Sequence, residues 1–302
     1  MKILVTGGGG MLGSHLKNEL PKNSLFPNKA TLNLTNYSET LEYLVEHKPT
    51  HIVHAAAKVG GISSNIKYPC DFFEENILIN TNIVKAARIA KIPNLLGILS
   101  TCIFPDQCAE YPMTEEMLHN GPPSPTNFSY GYAKRCLDVH IRASNKQYDT
   151  KYNSLIPCNL YSEFDRTEDN NKMHFVTALI KKIIDAEKNG ETKIVLFGTG
   201  KPRRQFMYAG DLAKIIKTVV ENNIKEDFCV APDNHNFTIH FMATKIISIL
   251  NKKIDISYDS SKPDGQFRKD VSNEKMKKFI PSFNFTKFED VIERIYANYA
   301  NR

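Results

Sequence analysis

The chain has 302 residues and a formal net charge of +6, which favours anionic ligands such as nucleotides. Its length suffices for a large core in one large or two smaller domains. No apolar run approaches the ~20 residues of a membrane span, and the short apolar start is no signal peptide. The lysines are scattered and the six cysteines show no zinc spacing, so we expect reduced thiols, no metal and no nucleic-acid or membrane partner in a cytoplasmic protein.

The first predicted element is a short buried strand over residues 2–6, followed by a glycine-rich turn and a helix. The glycines fit G-x-x-G-x-x-G through Gly7, Gly10 and Gly13, and also G-x-G-x-x-G from Gly8. Without a Cβ the backbone can approach a pyrophosphate, to which the helix N-terminus offers free N–H groups. A flexible glycine loop is the alternative. The flanking strand and helix favour a dinucleotide-binding turn.

The second strand is expected to end near Leu25 and Phe26. Enzymes that use NAD commonly carry an acid shortly afterwards for the ribose 2′-hydroxyl. Here no acid follows before Glu39, and Lys29 could pair with a 2′-phosphate. These observations favour NADPH over NADH.

Strand and helix signals alternate along most of the chain. Strands are predicted at 2–6, 51–54, 95–100, 153–158, 193–197 and 228–231, and helices near 11–20, 37–47, 71–91, 129–147, 173–188, 210–222 and 238–250. Alternation of this kind predicts an α/β fold, a Rossmann-type doubly wound parallel sheet with a smaller C-terminal α/β substrate lobe. The cofactor domain is expected to comprise 1–158 and about 205–231, and the lobe about 159–204 and 232–302. The irregular stretch 162–172 is expected to open an inserted substrate region.

Tyr130 and Lys134 lie four residues apart on a predicted helix, and therefore on one helix face. An ammonium near the phenol would lower its pKa, and such a phenol can protonate an alkoxide as hydride arrives. Tyr258 and Lys262 have the same spacing by chance. They follow a strand signal and run into Pro263, so a helix is not expected there.

Several segments carry a family likeness over nearly the whole chain. They are Gly10–Gly13, His54–Ile62, Ser100–Pro105, Asn159–Tyr161, His174 with Ala178–Ile180, Gly198–Phe206, and Ser261–Gly265 with Arg268–Lys269. Together they resemble the extended short-chain dehydrogenase/reductases and, within that group, the GDP-L-fucose synthase family of epimerase/reductases. Nucleotide-sugar dehydratases typically carry an Asp-Glu pair where this chain has Thr101 and Cys102.

The resemblance implies NADPH-dependent reduction of the C4 ketone of a GDP-4-keto sugar, with epimerisation at C3 and C5. Ser100 would hydrogen-bond the ketone oxygen, Tyr130 would protonate it, and Lys134 would hold the nicotinamide ribose. The implied cofactor-binding residues, with Lys29 added, are Gly7, Gly10, Met11, Leu12, Gly13, Lys29, Ala55, Ala56, Ala57, Tyr130, Lys134, Pro157, Asn159, Leu160 and His174. The implied substrate-binding residues are Val59, Gly60, Ser100, Cys102, Asn159, Lys182, Phe197, Arg204 and Lys262.

Inverting C3 or C5 beside a ketone needs a base on one face of the sugar and an acid on the other. Cys102 and His174 could supply that pair, provided that a nearby cation lowers the pKa of the thiol. The alternatives are a buried small hydrophobe for Cys102 and a surface residue at a helix start for His174.

Three departures from the family pattern lie where the sugar is expected to bind, and a fourth lies in the glycine loop that is expected to bind the cofactor. Ser162-Glu163 replaces Gly-Pro, Phe197 replaces a tryptophan, Gly9 replaces an arginine of the glycine loop, and Ala209-Gly210-Asp211 replaces Val-Asp-Asp. One alternative is therefore a reductase that acts only at C4, on a GDP-4-keto-heptose. A second is a non-catalytic NADP-binding regulator. The resemblance also implies a homodimer paired through the helices near 71–91 and 129–147.

Overall fold

The fold is seen in a computed structural model that describes residues 1–165, 173–233 and 236–300. In these ranges the strands are β1 (Ile3–Thr6), β2 (His51–His54), β3 (Asn94–Ile98), β4 (Asn153–Pro157), β5 (Asn159–Tyr161), β6 (Lys193–Phe197), β7 (Arg203–Tyr208), β8 (Phe228–Val230), β9 (Asn236–Thr238), β10 (Asp255–Asp259) and β11 (Arg268–Lys269). The helices are α1 (Met11–Glu19), α2 (Tyr37–His47), α3 (Ile62–Lys67), α4 (Pro69–Ile89), α5 (Phe128–Tyr148), α6 (Phe175–Lys188), α7 (Ala209–Glu221), α8 (Ile239–Ile249), α9 (Glu274–Phe279) and α10 (Phe288–Ala300). Short 3-10 helices cover Thr101–Ile103, Glu115–Met117 and Pro125–Asn127.

The central sheet has the strand order β1-β2-β3-β4-β8, and every pairing in it is parallel. On the free side of β1, Leu25 pairs with Leu4 through one bridge, close to the predicted end of the second strand. The strands are apolar runs because both faces of a parallel sheet are covered by helices. The predicted α/β fold of Rossmann type is confirmed.

Helices flank this sheet and bury their apolar sides against it. Helix α1 packs against α7, and α4 packs against α5 and α2. Leu16 on α1 and Ile83 on α4 are fully buried within the first hydrophobic core. No helix in the described ranges has the length and apolar character needed to cross a membrane.

A second core lies in the region predicted to form the substrate lobe. It is formed by α6, α8 and α10 with strands β6, β7 and β10, and includes Ile180, Ile246 and Ile295. Strand β10 pairs with β6, while β7 lies between β5 and β11 and also pairs with the antiparallel β9. The predicted lobe boundaries differ from this packing in two segments. Phe206 and Tyr208 on β7, expected in the cofactor domain, belong to this second core. Val271 and Met276 belong to the first core, because α9 packs against β8.

Most predicted elements are present within two residues of their expected bounds. Tyr258 lies in β10, so the absence of a helix around Tyr258 and Lys262 is confirmed. The sequence signals missed the strands β5, β7, β9 and β11 and the helices α3, α9 and α10. Of the stretch 162–172, residues 166–172 lie outside the described residues.

Candidate active site

The turn after β1 is built for close backbone approach. Gly7 has φ +74°, and a Cβ there would lie 2.9 Å from the backbone of Ala56. A Cβ at Gly13 would lie 2.5 Å from the Gly7 carbonyl oxygen. The Gly10 N–H donates to that oxygen at 2.9 Å, and no side chain caps α1 at Gly10. The first N–H groups of α1, including those of Met11 and Leu12, therefore remain available to a phosphate.

The other predicted cofactor residues surround this turn. Ala55, Ala56 and Ala57 follow β2, and Ala56 contacts Gly7. The Lys29 side chain is 75% exposed, and its ammonium pairs with the Glu75 carboxylate at 3.2 Å. Its role toward a 2′-phosphate remains a prediction. A Cβ at Gly9 would have no neighbour within 4 Å, so this position is open.

Ser100, Cys102 and Tyr130 meet at the carboxyl end of β3. The Ser100 hydroxyl accepts the Cys102 backbone N–H at 3.2 Å and so caps a 3-10 turn. The same hydroxyl is close enough to the Cys102 thiol and to the Tyr130 phenol to lower the pKa of both groups. This hydroxyl therefore links the base expected for epimerisation to the acid expected for reduction.

The predicted effect of Lys134 on Tyr130 is wrong for this structure. Burial raises the pKa of Tyr130 well above its ordinary range, Cys102 raises it further, and only the hydrogen bond with Ser100 opposes them. The Lys134 ammonium instead donates to the Ile98 carbonyl oxygen at 2.8 Å. Burial lowers the pKa of Lys134 to about 8. The i, i+4 spacing places Tyr130 and Lys134 on one helix face, but the Lys134 ammonium binds the backbone of β3 and not the phenol.

The cation that Cys102 requires is Lys269. Its ammonium donates to the Cys102 Sγ at 3.1 Å, and the residue is 5% exposed. Burial raises the pKa of the Cys102 thiol, but Lys269, Ser100 and Arg204 together bring it below its ordinary value. The condition set for a thiolate base is therefore met.

His174 stands at the N-cap of α6 and is held by the buried Asp165. The Asp165 carboxylate accepts the His174 backbone N–H at 2.9 Å and Nδ1–H at 3.0 Å. Burial lowers the pKa of His174, but Asp165 and the nearby Cys102 raise it above its ordinary value overall. A raised pKa favours the protonated imidazole, which suits the acid of the pair.

The predicted substrate residues lie in two groups. Arg204 is near Cys102, Asp264 and Asp106; burial lowers its pKa and these three groups oppose that effect. The Lys182 ammonium lies 5.4 Å from the centre of the Phe197 ring, which is 54% exposed.

Three further predicted substrate residues lie in loops. Lys262 is exposed in the loop after β10, and Val59 and Gly60 lie between β2 and α3. The roles of these three residues remain predictions.

Two hydrogen-bond anchors position the remaining predicted residues. Asn159, which follows Pro157 and precedes Leu160 in the chain, donates to the Gln205 carbonyl oxygen at 2.8 Å and so ties β5 to β7. Asn76 exchanges hydrogen bonds with the backbone of Lys58. These anchors fix the backbone beside the site.

Sequence reasoning missed two functional candidates, Lys269 and Asp165. Lys269 stood in a segment that carried the family likeness, but no local pattern connected it to Cys102, which is 167 positions away. Asp165 is separated from His174 by a stretch without periodicity. An acid shortly before a histidine at a helix start was the only signal for it.

Comparison with known proteins places the chain among nucleotide-sugar enzymes. Residues 3–231 match the NAD dependent epimerase/dehydratase family. A GDP-L-fucose synthase from Dictyostelium discoideum is 38% identical over 96% of this chain and 92% of its own length. A GDP-L-colitose synthase from Yersinia pseudotuberculosis is 37% identical over 92% of each chain. A GDP-L-fucose synthetase from Naegleria fowleri, solved with NADP bound, superposes with a TM-score of 0.87 at 30% identity, over 99% of this chain and 94% of its own. The chain thus belongs to the NAD dependent epimerase/dehydratase family and, within it, to the GDP-L-fucose synthase group.

Proposed function

We propose that this protein is an NADPH-dependent epimerase/reductase that reduces the C4 ketone of a GDP-linked 4-keto sugar after inverting C3 and C5. The observation that carries the proposal is the meeting of Ser100, Cys102 and Tyr130 at the end of β3, with His174, whose pKa is raised, nearby. A simple reductase needs Ser100 and Tyr130 but has no use for a thiolate and an imidazolium beside them.

The residues present suit NADP(H). A Cβ at either end of the Gly7–Gly13 turn would clash with main-chain atoms, so the turn requires glycine there. This tight turn lets a pyrophosphate approach the backbone closely. The Naegleria relative was solved with NADP bound. When bound, this cofactor supplies the hydride for C4. Lys29 is the group in this chain that suits a 2′-phosphate, and comparing KM for NADPH and NADH tests that preference.

Reduction uses Ser100 and Tyr130 on the ketone oxygen. The Ser100 hydroxyl orients that oxygen, and the Tyr130 phenol donates its proton as negative charge develops there. A phenol whose pKa is raised keeps its proton until that charge appears. Lys134, whose ammonium is held by the Ile98 carbonyl oxygen, would bind the nicotinamide ribose.

Epimerisation uses Cys102 and His174 on opposite faces of the sugar. The Cys102 thiolate removes the proton from the carbon next to the ketone and becomes a thiol, while the electron pair of the broken C–H bond moves to the ketone oxygen. His174 then returns a proton from the other face and becomes neutral. The acid and base approach from different elements, the end of β3 and the start of α6.

The decisive experiment mixes the protein with NADPH and GDP-4-keto-6-deoxy-mannose in D₂O. We expect the nicotinamide absorbance to fall and the product to carry deuterium at C3 and C5. Reduction without label at either carbon would remove the epimerase role. No turnover on any GDP-4-keto sugar, with NADPH binding intact, would support the non-catalytic regulator.

A reductase that acts only at C4 of a GDP-4-keto-heptose is the second candidate. It is favoured by Ser162-Glu163, where the Glu163 carboxylate accepts the Tyr208 hydroxyl at 2.9 Å and Ser162 Oγ lies 2.7 Å from His15 Nε2. The family's Gly-Pro cannot make these side-chain contacts, so the segment that precedes Asp165 packs differently in this chain. The same labelling experiment with the heptose substrate distinguishes the two candidates.

We also propose a cytoplasmic homodimer paired through α4 and α5. These helices pack on each other, and their outer faces expose apolar side chains, among them Leu78, Ile89, Phe128, Tyr132 and Val139. Two such faces in contact would form a four-helix interface. Sedimentation of the wild-type chain and of a Val139→Asp variant tests this pairing. A wild-type chain that sediments as a monomer would contradict it.

A further inference from the structure

Lys269 is a buried ammonium whose hydrogen-bond partner is a sulfur atom. Its Nζ donates to Cys102 Sγ at 3.1 Å, and among the described residues no second partner accepts from it. An isolated buried ammonium is costly unless an anion lies close to it. The thiolate form of Cys102 supplies that anion, and a neutral thiol does not.

The strand pairing explains why Lys269 points at this site. Strand β11 pairs in parallel with β7, and Lys269 stands directly opposite Arg204 in the register. Both cations act on Cys102, and Lys269 makes the direct contact.

The neighbouring carboxylate in the chain does not serve Lys269. Asp270 is held in a fork by Arg268 Nε at 2.6 Å and Nη2 at 2.9 Å. Because Asp270 binds Arg268, it does not compete with Cys102 for the Lys269 ammonium. Arg268 faces the surface, and the next residue, Lys269, faces the site.

We propose that Lys269 is a positioning residue that holds Cys102 as a thiolate and aims its sulfur at the carbon to be deprotonated. The role of that thiolate as a base rests on the proposed function. In the step itself, the Cys102 sulfur takes the proton and becomes a neutral thiol, while Lys269 keeps all its protons and changes no bond. Lys269 thus acts only through Cys102.

The test is the pH dependence of Cys102 alkylation by iodoacetamide, followed on the Cys102 peptide by mass spectrometry. We expect Lys269→Met to move the alkylation midpoint upward by at least about one pH unit. Lys269→Arg, which keeps the charge, should restore most of that shift. Lys277→Met, which removes a surface lysine paired with Glu274 and Asp233, should leave the midpoint unchanged.

A midpoint that is equal in the wild-type chain and in Lys269→Met would overturn the proposal. So would a Lys269→Met variant that raises only KM for the GDP sugar, because Lys269 would then serve the diphosphate. NADPH affinity and the thermal unfolding midpoint show whether Lys269→Met has folded. If it has not, the pH dependence of Cys102 alkylation in Lys269→Gln takes its place as the test.

The alkylation measurement needs no sugar, so it separates this inference from the proposed function. A shifted thiol midpoint in a protein that epimerises nothing would uphold the Lys269–Cys102 pair and reject the function. With a working substrate, Lys269→Met should also lose roughly tenfold or more in deuterium exchange at neutral pH and regain it at higher pH.

Discussion

Asp165 holds His174 at two points, through the backbone N–H at 2.9 Å and through Nδ1 at 3.0 Å. The first bond fixes the start of α6, and the second fixes the ring and its tautomer, so that Nε2 is the nitrogen left to face a substrate. Asp165 is itself anchored, because the Tyr299 hydroxyl donates to its carbonyl oxygen at 3.0 Å. The acid of the proposed epimerisation is therefore positioned from α10, at the far end of the chain.

Replacing this carboxylate should change the pH profile of epimerisation more than its substrate affinity. In Asp165→Asn the pKa of His174 falls, because a neutral amide no longer favours the imidazolium. The protonated acid is then lost at a lower pH, and the alkaline limb of deuterium exchange at C3 and C5 should move down by about one unit. Exchange measured by NMR across a pH series checks this.

Asp185→Asn is the matched control for this prediction. Asp185 also lies on α6 but pairs with Lys181 at the surface. Its exchange profile should equal that of the wild-type chain. If Asp165→Asn also retained the wild-type profile, Asp165 would have only a structural role.

Removing the phenol oxygen should separate reduction from epimerisation. Tyr130→Phe leaves the ketone oxygen without its proton donor, so NADPH oxidation should slow by roughly 10² to 10⁴. Deuterium exchange should persist, since Cys102 and His174 are intact. Tyr258→Phe removes a hydroxyl that contacts His240 in the substrate lobe, and its reduction rate should be unchanged. Normal reduction by Tyr130→Phe would contradict the assigned role.

The local parts of the fold could be predicted from the sequence because their signals are local. The glycine turn, the buried strands of the central sheet and the long helices each follow from periodicity and turn chemistry within about 20 residues. Strand β7 was missed because its charged start reads as surface. Its burial comes from pairing with β5 and β11, which lie far away in the chain.

The site was predictable in its parts but not in its electrostatics. Ser100, Cys102, Tyr130 and His174 could each be named from motifs, and the structure brings them together. The pKa of Tyr130 could not be predicted, because spacing along a helix says nothing about burial at the end of β3. The cation beside Cys102 comes from a strand 167 positions later, a distance that no local pattern spans.

Gly13 and Gly9, two positions of the glycine turn, should tolerate substitution very differently. A Cβ at Gly13 would lie 2.5 Å from the Gly7 carbonyl oxygen and 2.6 Å from Gly8 Cα, both of which are backbone atoms. Gly13→Ala must therefore displace the turn, and we expect NADPH affinity to fall roughly tenfold or more. Gly9→Ala meets nothing within 4 Å and should bind as the wild-type chain does. Fluorescence titration of NADPH distinguishes them, and equal affinities would argue against pyrophosphate binding at this turn.

The last prediction concerns acid stability and the buried His54. Its Nδ1 lies 2.8 Å from Thr6 Oγ1 and its Nε2 lies 3.0 Å from Asn80 Oδ1. Asn80 in turn donates to the Ala133 carbonyl oxygen at 3.0 Å. This chain of bonds joins β1, β2, α4 and α5. Burial and the nearby Lys134 ammonium lower the pKa of His54 to about 3, against the opposing hydrogen bond with Asn80.

The neutral His54 should make the fold sensitive to acid in a defined window. Above about pH 6.5 the His54 imidazole is neutral in the folded and in the unfolded chain, so protonation costs the folded state nothing. Between about pH 6.5 and 3 the imidazole takes up a proton only in the unfolded chain, which lowers the free energy of unfolding. Stability should therefore fall by about 1.4 kcal/mol per pH unit from this residue alone, or about 2 kcal/mol between pH 7 and 5. Urea unfolding at pH 7 and pH 5 measures this loss of stability, and the loss should be about 2 kcal/mol smaller in His54→Gln than in the wild-type chain. His240→Gln, at an exposed position, should lose as much stability as the wild-type chain. An undiminished difference in His54→Gln would mean that other groups cause the loss in acid.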